Sequence, residues 1–131
     1  MSAMNHKVPI IWSISPDSKT VTCLDPYEIF YNDISRTEAQ KYVDMLKGHS
    51  YNTFRSPVTA EPWRYIPSTY VVCEDDRAVP LEIQLGMIRG AQEIAEESFG
   101  TIERINAGHS PFISQPEWLA EKLMKAAENP I

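Results

Sequence analysis

The sequence is poor in cysteine and has no long hydrophobic run. Its two cysteines, Cys23 and Cys73, each fall in a predicted strand without the spacing of a metal site. We therefore expect two buried thiols, with a single disulfide as the alternative. Free thiols fit a reducing compartment. No stretch reaches the length of a membrane-spanning helix, and Met1–Lys7 lacks the apolar centre of a signal peptide, so the sequence predicts a cytoplasmic protein.

Basic residues are also few. The chain has 12 Lys and Arg against 18 Asp and Glu, which gives a formal net charge of −6 at pH 7. Nucleic acids and anionic membrane surfaces both require a basic patch, and the Lys and Arg residues are scattered, so we expect neither as a partner. A hydrophobic content of 43% and a charged content of 23% are typical of globular proteins. A length of 131 residues predicts a single domain, which would span positions 1–131.

Residues 1–65 form a front part in which a hairpin precedes short helices. Apolar and alternating segments on either side of a Ser-Pro-Asp-Ser turn predict the hairpin. Asp25 before a proline is typical of a helix start, Ser35 and Glu38 form a capping box, and Gly48 is expected to end that helix. The predicted elements are strands Val8–Ile14 and Thr20–Leu24 and helices Tyr27–Tyr31, Ser35 to about Lys47, and His49–Arg55.

Residues 66–131 show a different pattern, in which strands and helices alternate. Thr69–Cys73 is a continuous apolar strand, which is typical of a parallel sheet buried on both faces. Helix Pro80–Glu97, strand Thr101–Ile105 and helix Ser114–Glu128 follow, and the last begins with a second capping-box pattern. A β-α-β-α order predicts a right-handed crossover. The fold class is therefore α/β, with a parallel β-α-β-α unit and a helical front part that carries a β-hairpin.

A carboxylate and an imidazole follow the two predicted parallel strands. Asp76 comes after the first strand, and His109 comes after the second. Adjacent strand ends of an open α/β sheet place such residues together as the orienting acid and the general base of a catalytic triad. Asp75 competes with Asp76 for the acid role, and an ordinary turn residue is the alternative for either. The sequence contains no Gly-x-Ser-x-Gly motif, and Ser110 is too close to His109 in the chain to act as its nucleophile.

Three segments of the back part resemble the C-terminal third of α/β-hydrolases. They are Ile66–Asp76, Ala78–Pro80 and Gly108–Leu119. The nearest branch contains small esterases, such as plant methyl esterases, and hydroxynitrile lyases. Asp25–Asp33 and Leu46–Ser50 are similar to the cap of that branch. The resemblance implies that Asp76 is the triad acid, that His109 is the triad base and that residues 8–65 form a lid, whereas no segment here resembles the family's serine-bearing half.

Several residues of the front part are candidates for substrate binding. His49 and Ser50 follow a glycine in the cap-like segment, and aromatic side chains would give a lid an apolar lining. The alternatives are a helix cap for Ser50, a solvated His49 and core packing for the aromatic residues. The predicted set is His49, Ser50, Tyr51, Trp12, Tyr31 and Trp63. Three histidines so far apart do not suggest a metal site, and we expect neither a metal nor a cofactor.

These residues predict an α/β-hydrolase-like enzyme that uses an Asp–His pair for non-hydrolytic chemistry. Proton transfer alone supports isomerisation, elimination, cyclisation or addition on a small apolar or oxygenated organic substrate, as in a biosynthetic pathway. One alternative is part of a serine esterase or lactonase whose N-terminal half lies elsewhere. The other is a ligand-binding protein without catalysis.

An exposed strand edge leads us to expect a homodimer. Strand Thr69–Cys73 is apolar on both faces but has one obvious parallel neighbour, Thr101–Ile105. Unpaired edges and bare apolar faces must be covered in a soluble protein. A two-fold dimer would cover them, and the chain's own hairpin, Val8–Leu24, is the alternative.

Overall fold

The computed structural model describes residues 11–128, in which two small sheets are combined with helices. The strands are β1 (Trp12–Ile14), β2 (Thr20–Cys23), β3 (His49–Ser50), β4 (Thr69–Cys73) and β5 (Thr101–Ile105). The α-helices are α1 (Pro26–Phe30), α2 (Arg36–Met45), α3 (Leu81–Ile94), α4 (Pro111–Ser114) and α5 (Pro116–Glu128), and 3₁₀ turns span Tyr51–Phe54 and Pro62–Arg64. No helix among residues 11–128 is long and apolar enough to cross a membrane.

The front sheet is antiparallel and has the order β1-β2-β3. Trp12 pairs with Cys23, and the connecting turn is held by Asp17, whose carboxylate accepts hydrogen bonds from the Ser15 hydroxyl and the Lys19 amide. The predicted hairpin is confirmed from Trp12 onward, while Val8–Ile10 lies outside the described residues. The predicted helix over His49–Arg55 is wrong at its start, because His49 pairs with Val21 before the 3₁₀ turn begins.

Helices α1 and α2 begin as their capping residues predict. The Asp25 carboxylate accepts a hydrogen bond from the Glu28 amide, and the Ser35 hydroxyl accepts one from the Glu38 amide at 3.2 Å. The expected role of Gly48 is wrong, because α2 ends at Met45 and no described glycine has a positive φ. Gly48 instead permits close packing, since a Cβ there would lie 2.7 Å from Thr20 Cγ2.

The back sheet consists of β4 and β5, which pair in parallel from Thr69 opposite Thr101 to Cys73 opposite Ile105. Cys73, Ile105 and Ala107 form a core cluster against which Val71 and Trp118 pack. The predicted α/β class and the β-α-β order are therefore confirmed. Both cysteines are free thiols, with Cys73 buried and Cys23 partly exposed.

Helix α3 is tied to β4 by a buried glutamine, Gln84, which is 2% exposed. Its side-chain amide donates to the Cys73 carbonyl and the Val79 carbonyl, and its oxygen accepts from the Cys73 amide. These hydrogen bonds fix the two ends of the loop between β4 and α3.

The predicted final helix, Ser114–Glu128, begins at Pro116 in the structure, and Ser114 instead ends a separate short helix, α4. Gln115 has φ −141° and ψ 56°, because the following proline disfavours the helical conformation of the residue before it. The Ser114 hydroxyl is buried without a hydrogen-bond partner in the described chain, so the predicted capping box at this position is not formed.

The hairpin does not cover the exposed edge of the back sheet. Its strands pair with each other and with β3, whereas β4 pairs only with β5 within residues 11–128. For the described part of the hairpin, Trp12–Cys23, the alternative to a dimer is therefore wrong, because these residues belong to a separate sheet. The homodimer itself stays a prediction.

Replacing Gly48 by alanine should destabilise the protein. The new Cβ would overlap a β-branched threonine side chain, so the unfolding free energy should fall by about 1–3 kcal/mol, as expected for overpacking. The matched control is Gly90→Ala in α3, where a Cβ meets nothing within 4 Å and helix propensity should add about 0.5–1 kcal/mol. Urea unfolding of both variants checks the signs, and a stabilised Gly48→Ala would contradict the packing described here.

Candidate active site

The loops after β4 and β5 run side by side beyond the strands. The Glu74 amide donates to the Ile105 carbonyl at 2.9 Å, and the Asp75 amide donates to the Ala107 carbonyl at 3.0 Å. Because the strands are parallel and in register, both loops leave the sheet at the same edge. Two titratable side chains, Asp76 from the first loop and His109 from the second, then meet beyond the sheet.

Asp76 and His109 are in direct contact. His109 Nδ1 lies 3.1 Å from one carboxylate oxygen of Asp76 and 3.0 Å from the other. The Asp76 side chain is 8% exposed and the His109 side chain is 37% exposed. The structure therefore places a buried carboxylate behind a partly exposed imidazole. Asp75, the competing residue, does not contact His109 but accepts a hydrogen bond from Asn32.

The surroundings of Asp76 favour its charged form. Burial alone raises the pKa of the Asp76 carboxyl, but hydrogen bonds from His109 and from the amides of Val79 and Ala78 bring it below its usual value. Each of those amides donates to one carboxylate oxygen at 2.8 Å. An ionised Asp76 makes Nδ1 of His109 the hydrogen-bond donor, which leaves Nε2 as the nitrogen that accepts a proton. Within the described chain, Nε2 makes no hydrogen bond.

Aromatic side chains extend from His109 into the front part. The Phe30 ring lies 5.4 Å from the His109 ring, and Trp12 lies 6.0 Å from Phe30. Trp12 also contacts Phe54 and His49, each at 5.3 Å between ring centroids. We call Phe30, Trp12, Phe54 and His49 the aromatic row. It gives the exposed imidazole an apolar neighbour that belongs to a different part of the chain.

Only two of the predicted substrate-binding residues, Trp12 and His49, belong to the aromatic row. Ser50 accepts a hydrogen bond from the Asn52 amide and so caps a 3₁₀ turn, which was the alternative interpretation. Tyr31 and Tyr51 are buried in the core, where they pack against Tyr42 and Phe54 respectively.

Trp63 lies in a different aromatic group, stacked at 6.1 Å on Phe99. It lines a cavity of about 880 Å³ at the amino ends of β4 and β5, beside Thr69 and Thr101. His109 and Asp76 follow the carboxyl ends of these strands, so this cavity and the catalytic candidates lie at opposite ends of the sheet. The structure thus does not bring Trp63 to His109.

The thiol of Cys73, which lies near the pair, has no evident role as a nucleophile. Burial raises the pKa of the Cys73 thiol to about 11, with the charges of Asp76 and Asp33 adding to the effect, so this cysteine is not a nucleophile at neutral pH. Residues 11–128 contain no cluster of three or more His, Cys, Asp or Glu side chains that could hold a metal ion.

Three residues at the site were not identified from the sequence. Gln84 fixes the loop that carries Asp76, and Asn32 and Asp33 contact the residues that precede Asp76 and His109. Their side chains reach across 11 to 75 positions of the sequence. A helix pattern gives no sign of the Gln84 contacts, although a glutamine among apolar residues on the buried side of α3 is a signal that could have been used.

The sequence of the chain matches a known protein family. Residues 8–122 match the alpha/beta hydrolase family, and this match covers most of the chain. The chain belongs to this family, and the resemblance seen in its sequence is confirmed.

Two fungal relatives share 32% identity with the chain. The alpha/beta hydrolase nvfD of Aspergillus novofumigatus (strain IBT 16806) aligns over 100 residues, which are 76% of this chain and 38% of the relative. The probable hydrolase R7 of Phoma sp. (strain ATCC 20986 / MF5453) aligns over 96 residues, which are 73% of this chain and 39% of the relative. The chain thus spans about two fifths of the length of these curated relatives.

A solved hydrolase shares the fold. The crystal structure of the pyrethroid hydrolase PytH with BIF superposes with a TM-score of 0.66 at 21% identity. The alignment covers 90% of this chain and 47% of PytH. At this identity the similarity shows the fold alone.

Replacing Asp76 by asparagine should make stability less dependent on pH in acid. The folded-state pKa of Asp76 lies below its unfolded value of about 3.9, so its stabilisation is complete above that value and is lost as pH falls through the folded pKa. At pH 7 the variant should lose about 1.5–3 kcal/mol of unfolding free energy, which is typical of hydrogen bonds to a charged group. Urea unfolding from about pH 6 to pH 2.5 measures the difference from the native chain, which should shrink toward the acid end.

The control for this experiment is Asp44→Asn, which changes an exposed carboxylate that accepts a hydrogen bond from Gln40. At pH 7 its loss of unfolding free energy should be smaller than that of Asp76→Asn, because the carboxylate that it replaces is exposed. A difference in unfolding free energy between Asp76→Asn and the native chain that does not vary with pH would contradict the lowered pKa of Asp76.

Proposed function

We propose that this chain carries the acid–base half of an enzyme active site, in which His109 transfers a proton to or from a small organic substrate. Asp76 orients the imidazole and stabilises its charged form. The observation that carries the proposal is the contact of 3.0–3.1 Å between His109 Nδ1 and both oxygens of a nearly buried Asp76 carboxylate. The α/β-hydrolase membership of the chain supports it.

The geometry suits a general base because each nitrogen of the imidazole has a separate task. Nδ1 is hydrogen-bonded to the Asp76 carboxylate. The same carboxylate accepts hydrogen bonds from backbone amides of its own loop, so it does not move independently of that loop. Nε2 is then the nitrogen that takes a proton from the substrate and later returns it. The buried carboxylate stabilises the imidazolium ion formed in between, without accepting the proton itself.

The aromatic row suggests the substrate class. Phe30 lies against the His109 ring, and Trp12 and Phe54 continue the apolar surface away from it. A substrate whose reacting group meets His109 would therefore place its carbon skeleton on aromatic rings. We propose a small apolar or oxygenated organic compound, bound by apolar contact and oriented by few polar groups.

The reaction that we propose is proton transfer without a nucleophilic serine. The 131 residues contain no Gly-x-Ser-x-Gly motif, and Ser110 is 4% exposed at the start of α4. An oriented imidazole acting alone can isomerise, eliminate, cyclise or add across an activated bond. A biosynthetic step of this kind requires no cofactor.

Hydrolysis is the second candidate, and the relatives favour it. Both fungal relatives have names that denote hydrolases, and the chain spans 38–39% of their length. In this case a serine outside the present sequence would attack an ester, with His109 receiving its proton. His109 would then pass this proton to the departing alcohol, and water activated by His109 would hydrolyse the acyl-serine. Asp76 would orient His109 in both candidates, which differ in whether a covalent intermediate forms.

Variants of the pair test the proposal. Deuterium exchange at acidic carbons, followed by NMR in D₂O over a panel of small ketones and β-keto esters, detects proton transfer without knowledge of the natural substrate. Exchange catalysed by the native chain should fall about 10²–10⁴-fold in His109→Ala, which is the usual contribution of a general base. Asp76→Asn should also reduce it, and the double variant should lose little more than His109→Ala because the residues act as a unit.

Asp44→Asn is the matched control and should leave the exchange rate unchanged. Undiminished exchange in His109→Ala would refute the assignment of His109. A fluorophosphonate probe tests for an activated serine within these 131 residues. We expect no labelled serine, and a labelled serine located by mass spectrometry would contradict a reaction of this chain without a nucleophilic serine.

A further inference from the structure

Two consecutive residues between α1 and α2, Asn32 and Asp33, contact both loops of the candidate active site. Asn32 donates through Nδ2 to the Asp75 carbonyl at 3.1 Å and to the Asp75 carboxylate at 2.9 Å. Asp33 accepts a hydrogen bond from the Gly108 amide at 2.7 Å. Asp75 and Gly108 immediately precede Asp76 and His109 in the chain. Neighbouring residues of one segment therefore hold the neighbours of both members of the catalytic pair.

We propose that Asn32 and Asp33 are positioning residues, which set the separation of Asp76 and His109 by holding the loops that carry them. The inference rests on the proposed function of the pair and deepens it. Neither residue touches the reacting nitrogen of His109. They act through Asp75 and Gly108, so the front part of the chain contributes to the geometry of the pair as well as to its surroundings.

The sheet alone does not extend far enough to fix the pair. The last backbone hydrogen bond between the two loops in the described chain joins Asp75 to Ala107. Asp76 lies one residue beyond that bond and His109 lies two beyond it. Past this point the loops are held together by side chains, and the contacts of Asn32 and Asp33 are placed where the backbone pairing ends.

Close packing at Gly108 supports a specific fit of this segment. A Cβ at residue 108 would overlap Asn32 Oδ1 and lie 3.0 Å from Asp33 Oδ1, so any other residue there would displace these two side chains. Both of those oxygens are buried without hydrogen-bond partners among the described residues. Buried acceptors without partners are unfavourable, and such departures from consistent packing concentrate at functional sites. The segment is thus held against the His109 loop despite a local cost.

Other contacts of the same segment point in the same direction. Phe30 packs on the His109 ring, and Glu28 forms an ion pair with Arg77, the residue after Asp76. The end of α1 and the residues after it therefore contact the loops on both sides of the pair. A displacement of this segment would therefore change the distance between the two loops.

The test uses two nearly isosteric exchanges with opposite expected results. Asn32→Asp removes the amide donors and sets a negative charge against the Asp75 carboxylate, so the Asp76 loop should be displaced. Asp33→Asn keeps an oxygen that can accept from the Gly108 amide, so the His109 loop should stay in place. The readout is the tautomer of the neutral His109 ring, measured by ¹⁵N–¹H NMR of the imidazole at about pH 8.5, above the ordinary pH range of histidine titration.

In the native chain and in Asp33→Asn, the proton of His109 should reside on Nδ1, where Asp76 accepts it. In Asn32→Asp this signature should be lost. His49, whose Nδ1 contacts Ser50 and Thr53, is the internal control and should be unchanged in every variant. An Nδ1–H signature of His109 that persists in Asn32→Asp would overturn the inference. So would its loss in Asp33→Asn at unchanged His49 signals.

A second variant and a measurement made without a substrate keep the experiment decisive. If the added charge prevents Asn32→Asp from folding, Asn32→Ala removes the same donors without it and must give the same loss. The tautomer is measured without a substrate, so it reports positioning alone. Should the proposed function fail because exchange does not depend on His109, the tautomer would still respond, and the two failures would be distinguishable.

Discussion

The in-register parallel pairing of β4 with β5 is the constraint on which the candidate site depends. Cys73 opposite Ile105 places the two strand ends level, and the hydrogen bonds of Glu74 and Asp75 extend the pairing into the loops. A register shift of one residue would change which side chains face each other across the loops. The buried Gln84 secures the same loop from α3, so the position of Asp76 is determined by a strand and a helix together.

The front part of the chain contacts the candidate site directly. Its contribution is concentrated at the end of α1, where Phe30 packs on His109 and Asn32 and Asp33 bind the loop residues next to the pair. Under the proposed function, a front part that supplies both apolar surface and loop contacts would link substrate binding to the geometry of the Asp76–His109 pair. Movement of this segment on binding would then alter the distance between Nδ1 and its carboxylate, and not only access to it.

Local patterns predicted the parts of the structure that depend on local interactions. Asp25 and Ser35 cap their helices because the acceptor and the donor are three residues apart. The apolar run of β4 is buried only at Val72 and Cys73, so the expected burial along the whole strand is not met in the described chain. Gly48 and Ser114 were wrongly interpreted, since the packing of Gly48 against β2 and the effect of Pro116 on Gln115 override the expected caps. The contacts of Asn32 and Asp33 join residues 43 and 75 positions apart, which no local pattern can show.

Three consecutive acidic residues show how the fold assigns different tasks to the same chemistry. Glu74 forms an exposed ion pair with Arg104 on the neighbouring strand at 2.9 Å, which is worth little in water. Asp75 accepts from Asn32, and Asp76 binds His109 together with two backbone amides. Of the three carboxylates, only that of Asp76 is both nearly buried and hydrogen-bonded to an imidazole and backbone amides. Its negative charge is therefore held next to the His109 ring. The sequence offers three carboxylates, and the loop geometry selects one of them as the partner of the base.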